Sequence, residues 1–171
     1  MTLRMNIPRV DLLTPEVSAQ VESHLQQLSE AAESLNDLSD QLTKEIAKIE
    51  STLNGFGLGV EASVVVAVSS SDDGRYSTTW RLRYGKQGRR WGFLIERVSE
   101  DASDQSQDEF ESWLFGESPR EHRIEAVTKI PELLDALLKK ANYLKATIEG
   151  KVSYASGLAA RISQAAPKGK K

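Results

Sequence analysis

Ten positions spaced alternately by four and three residues, Val21, Leu25, Leu28, Ala32, Leu35, Ser39, Leu42, Ile46, Ile49 and Leu53, are apolar at all but Ser39. A repeat of 3.5 residues is the seam of a coiled coil. A long amphipathic helix packed on its own domain fits the pattern equally well. Thr14-Pro15-Glu16 supplies an N-cap, a proline at the first helical position and an acid near the positive helix end. Nothing interrupts the run until Asn54-Gly55-Phe56-Gly57, where Gly55 is the expected positive-φ stop. The spacing therefore predicts a helix over residues 15–53, roughly 58 Å long at about 1.5 Å per residue. Such a helix needs a long partner.

The C-terminal third supplies a second seam. Ile130, Leu134, Leu137, Ala141, Leu144, Ile148, Lys151, Ala155, Leu158 and Ile162 repeat the same spacing, with Lys151 the one polar member. Ser118-Pro119-Arg120-Glu121 reads as a capping box at the start of a helix over 119–165. Pro131 should kink that helix or begin a new segment near Ile130. Leu133 and Leu138 widen its apolar stripe. Gly150, Ser153, Gly157 and Ala160 leave the outer face small, which either weakens the helix end, the favoured reading, or lets another helix approach closely. Residues 166–171 are expected to be a disordered tail.

Between the helices the period changes from 3.5 to 2. Val60, Ala62, Val64, Val66 and Val68 alternate along a first strand, and Ser69 to Gly74 forms a turn cluster. Tyr76, Thr78, Trp80, Leu82 and Tyr84 alternate along a second strand. Gly85-Lys86-Gln87-Gly88 closes the next hairpin, and Trp91, Phe93 and Ile95 extend the apolar face to about Val98. Residues 60–98 thus read as a three-stranded antiparallel β-meander with one apolar and one polar face. Residues 99–118 read as an acidic connector anchored by Phe110, Trp113, Leu114 and Phe115. The expected fold class is α+β: one domain over 1–171, with two long coiled-coil-like helices flanking the meander.

Composition removes several functions. The chain has 171 residues, no cysteine and two histidines, His24 and His122. That excludes a thiol nucleophile, a disulfide framework and Cys-based metal sites. It also leaves little for zinc or haem chemistry, so neither metal nor cofactor is expected. The carboxylates Asp101, Asp104, Asp108, Glu109 and Glu111 lack calcium-loop spacing and its turn glycine. Gly55-Phe56-Gly57-Leu58-Gly59 precedes a strand instead of opening a helix, so it fails the phosphate-loop context. The expected protein is not an enzyme. With no run of 18 apolar residues and no secretory signal at its start, it is expected to be cytoplasmic, without a membrane partner.

The formal net charge of −3 hides a strong division. Residues 1–56 carry −5, residues 57–99 carry +3, residues 100–118 carry −7 and residues 119–171 carry +6. An acidic first helix and a basic last helix are complementary, which predicts antiparallel pairing within one chain or across a dimer interface. In that register Lys151 falls near Glu22. A homo-oligomer, a dimer first of all, is expected through Leu25, Leu28, Leu35, Leu42, Ile46, Ile49, Leu134, Leu137, Leu144, Ile148, Leu158 and Ile162.

The basic hairpin is the other candidate site. Arg81, Arg83, Lys86, Arg89, Arg90, Trp91 and Arg97 form an expected surface for a protein or anionic partner. Arginines beside an aromatic also suit nucleic acid, which is the alternative reading. The same arginines could instead cover the sheet or bind the acidic connector. Helix, three-stranded meander, helix is similar in element order to a class of small dimeric bacterial nucleoid-associated proteins, with no shared motif. A bacterial or phage origin is expected, and the likeness, being one of topology alone, assigns no function. The function expected from these residues is a non-catalytic interaction module, such as an adaptor, a chaperone-like protein or an inhibitor.

Overall fold

A computed structural model describes residues 15–165. The expected Thr14 cap and the 166–171 tail lie outside the described residues. The chain divides after Glu45 into two units. Helix α1 runs Pro15–Phe56 without interruption. Its end corrects the expected stop, because Gly57 rather than Gly55 takes the positive φ, at 58°. Both positions are glycines, which enter that region cheaply, and the helix runs on to Phe56 before Gly57 turns the chain.

The second unit holds the end of α1, a sheet and two further helices. The strands are β1 (Ala62–Ser70), β2 (Tyr76–Gln87), β3 (Arg90–Asp101) and β4 (Glu109–Leu114). They lie in chain order, each antiparallel to the next. The sheet therefore has four strands where three were expected, and β4 comes from the segment read as an acidic connector. Pairing Arg97 with Glu111 and Val98 with Phe110 gives those acids a cation and the apolar residues cross-strand neighbours. A fourth strand also weakens the likeness to the nucleoid-associated element order. The second hairpin turns at Gly88-Arg89, two residues later than the expected centre at Lys86-Gln87, because pairing continues to Gln87 and Arg90.

One sheet face carries the core. Cross-strand partners Ala62, Tyr84 and Phe93 adjoin Val64, Leu82 and Ile95, and all six are buried. Helix α2 (Arg120–Val127) packs over β1, β2 and β3, and α3 (Ile130–Ala165) over β1 and β2. They contribute Ala126, Ile130, Leu133 and Leu137 to the core, while α1 adds Ile46 and Leu53. Each large side chain enclosed in this way contributes about 1.5–3 kcal/mol.

Three local features depart from the expected pattern. First, β1 bulges between Val65 and Ala67, which moves Val68 to the opposite face beside Thr79 and leaves it exposed. Second, that opposite face is not simply polar. Leu94 is buried there, and Val68, Thr79, Val98 and Phe110 form a row across all four strands. Third, Ser118 closes no capping box. Its hydroxyl donates to the Phe115 carbonyl at 2.8 Å, and Pro119 caps α2 without a side-chain hydrogen bond.

The break between α2 and α3 falls at Thr128-Lys129. Pro131 has no N–H for the Val127 carbonyl, and its ring would crowd that oxygen. Thr128 and Lys129 instead close tight i→i−3 bonds to Glu125 and Ala126, and α3 starts afresh at Ile130.

Candidate functional site

The hairpin register decides what each basic side chain can do. Arg81 lies opposite Glu96 and Arg83 opposite Leu94, so Arg83 reaches Glu96 on the diagonal. Its guanidinium donates to Glu96 at 2.7 Å on one side and to Glu61 at 2.7 Å on the other. Both bonds favour the charged arginine, the one to Glu96 more strongly, and hold its pKa above the usual value. Glu61 is pulled down, first by the Lys86 backbone N–H and then by Arg83. The guanidinium passes close to Gly85, where an added Cβ would fall 2.7 Å from Arg83 Nε, so a side chain at this position would displace Arg83 from its present course.

Arg97 is likewise engaged, at 2.9 Å from both Glu109 and Glu111 of β4. It lies on the core side of the sheet opposite Trp80, whose ring stacks on Trp113 at 5.9 Å and on His122 at 3.4 Å. That stack places His122 as a packing group of α2. His24 stays exposed on α1.

Arg81, Lys86, Arg89 and Arg90 are the cations left over. All four are exposed, and none forms an ion pair with a described residue. Lys86 and Trp91 are cross-strand partners, Arg89 makes the turn, and Arg90 pairs with Gln87. The base of this tip is fixed by Asn54 of α1, which donates to the Trp91 carbonyl at 3.2 Å and accepts from the Tyr84 hydroxyl. Glu50 accepts the Phe93 N–H from the same helix face, and burial pushes its carboxyl above the ordinary range. Beside Trp91 is a cleft of about 180 Å³ lined by Leu53, Leu58, Tyr84 and the Gly57 and Gly59 backbone. The sequence identified the cations, but not the carboxylates Glu61 and Glu96 that withdraw Arg83 from the set.

The helix seams divide in a similar way. Ile46 and Leu137 are buried inside the chain, so they have no surface to offer a partner, and Leu42 and Ile49 are half-buried. Leu25, Leu28 and Leu35 on α1 and Leu134, Leu144, Ile148, Leu158 and Ile162 on α3 are exposed.

Three aspartates, Asp73, Asp101 and Asp104, organise turns. Asp101 is buried and accepts from the Ser103 hydroxyl and backbone N–H and from Arg75. The Ser103 hydroxyl bond, then the Ser103 amide and then Arg75 lower its pKa from 3.8 to about 2. A depressed carboxyl contributes stability that is fully present above its unfolded pKa and disappears as pH falls through the folded value. Wild-type stability should therefore fall between about pH 4 and pH 2 by an amount that Asp101→Asn lacks. Urea midpoints measured down that range should converge. Parallel acid limbs would show that Asp101 plays no such part.

Among the described residues, no group of three His, Asp or Glu side chains is placed to hold a metal ion. Among them, too, no helix is long and apolar enough to cross a membrane. Comparisons with known protein families, curated proteins and solved structures find no match to this chain.

Proposed function

We propose that this protein is a non-catalytic interaction module that self-associates through its long helices and presents the β2–β3 hairpin tip to a protein partner. One observation carries the reading: the apolar seams of α1 and α3 continue past the core as rows of exposed side chains. Leu25 and Leu28 are 60% and 64% exposed, and Ile148 and Ile162 are 52% and 62% exposed. Apolar rows on this scale are a feature of surfaces that meet another protein. The rigid base beneath Trp91 and the four unpaired cations around it suit an acidic segment of a partner.

The unpaired cations also support the alternative, nucleic acid. Arg81, Lys86, Arg89 and Arg90 would give at most four phosphate contacts, hence a log–log salt slope no steeper than about −4. Two measurements test the pair of readings. Sedimentation should show a dimer at micromolar concentration, and a monomer throughout would overturn self-association. Arg89→Glu/Arg90→Glu should abolish capture of the partner protein, and the wild-type protein itself should be retained only weakly on single- or double-stranded nucleic acid. Tight, salt-dependent retention on nucleic acid that this variant loses would favour the alternative.

A further inference from the structure

The outer part of α3 is complementary to itself when reversed. Ala141 is half-buried, and from Asn142 to Gln164 every residue is exposed. Set antiparallel to a second copy, Leu144 faces Ile162, Ile148 faces Leu158 and Lys151 faces Ala155, a small residue that leaves the lysine stem room to reach water. The two-fold axis then passes beside Ser153. In this register the helix end at Ala165 falls level with Ala141 of the other copy, so the exposed length is covered and no more. The flanks fit the same axis. Val152 and Tyr154 lie next to it and meet their own copies, while Lys145 and Arg161 lie out towards the ends, opposite Ala159 and Thr147. No cation is set opposite another. A shift of one heptad either way would put Lys151 against Ile148 or Ile162, and a parallel pair would put it against itself inside the seam. At the foot of the row, Leu58 from the link between α1 and β1 joins Ala141, Leu144 and Ile148 around a cleft of about 310 Å³, where Ile162 of the second copy arrives.

We infer that α3 pairs antiparallel with α3 of a second copy about a two-fold axis beside Ser153. This rests on the self-association proposed above and adds which helix meets which, and in what register. The contact lies on the axis, so it closes the dimer by itself and lies wholly within the second unit. Covering the row and its flanks on both copies removes on the order of 1,200 Å² from water, the lower end of the range for a specific dimer. The share of α1 in the association is read separately, at Leu25.

Two substitutions on the row test it by sedimentation. Ile148→Asp should weaken the dimer at least about 100-fold, with far-ultraviolet and tryptophan spectra as in wild type because Ile148 is exposed in the single chain. Lys151→Leu should tighten the dimer about 10-fold or more, since a cation at a seam position is held at a cost in stability. An acidic helix of another protein facing the row would give the opposite result for Lys151→Leu. A dimer that Ile148→Asp leaves unchanged, or that Lys151→Leu fails to tighten, overturns the α3 pairing while self-association stands. A wild-type monomer throughout overturns both.

Orientation has its own readout. The chain has no cysteine, so Lys151→Cys and Ala155→Cys can be oxidised to the disulfide separately or as a mixture. The antiparallel register brings position 151 of one copy to position 155 of the other, and the mixture should cross-link several-fold more than either variant alone. Yields as high in each variant alone, the result of a parallel pair or of chance collision, overturn the proposal.

Discussion

Replacing Arg83 by methionine is expected to destabilise the fold by about 3–5 kcal/mol. The loss comes from Glu96, which is 6% exposed and keeps no cationic partner once the guanidinium is gone. A carboxylate enclosed in that way is costly to leave without a partner. Removing the acid as well, in Arg83→Met/Glu96→Leu, should recover most of the loss, since replacing both members of an enclosed pair is close to neutral. Denaturant midpoints followed by tryptophan fluorescence read both variants. A cost below about 1 kcal/mol for the single change would mean the guanidinium is free to serve a partner. The expected result instead separates the arginines: Arg83 and Arg97 hold the sheet together, and Arg81, Lys86, Arg89 and Arg90 remain for contact.

Phe93→Ala should cost about 3–5 kcal/mol, because the ring is fully buried and packs edge-on against Tyr84 at 5.7 Å. Leu25→Ala, at a seam position 60% exposed, should leave monomer stability within about 0.5 kcal/mol and weaken only association. Unfolding must be followed below the dimer dissociation constant, where concentration no longer contributes to apparent stability. If Leu25→Ala unfolds the monomer as Phe93→Ala does, the outer seam belongs to the core and the division drawn along α1 fails.

Much of the architecture was legible because period alone separates helix from strand. The two 3.5-residue seams and the alternation of Tyr76 to Tyr84 predict the long helices and the central strand directly. What period cannot show is where a seam passes from inside to outside. Leu25 and Ile46 occupy equivalent positions in the repeat, yet the first is 60% exposed and the second 3%. The fourth strand was hidden for a different reason. Glu109 and Glu111 resemble a solvated linker until Arg97 on the neighbouring strand accepts them, and strand preference depends on such neighbours. The candidate site was readable as a set of cations and unreadable as a set of free ones, because Glu61 and Glu96 reach Arg83 only through the register. Ser118 shows the limit of a motif: Ser-Pro-Arg-Glu has the capping-box residues, but its hydroxyl is already committed to Phe115.

The bulge in β1 has a consequence for solubility. β1 lies at one end of the strand order, and its stretch Ser63 to Val68 is five-sixths valine and alanine, uncharged and free of proline. A flat strand of that composition at a sheet edge is a template onto which another extended chain can add, the first step towards fibrils. The extra residue at Val66 interrupts the regular spacing of backbone donors and acceptors and increases the local twist. An incoming strand therefore finds at most a few residues in register before the ladder fails, and this valine-rich edge carries its own safeguard.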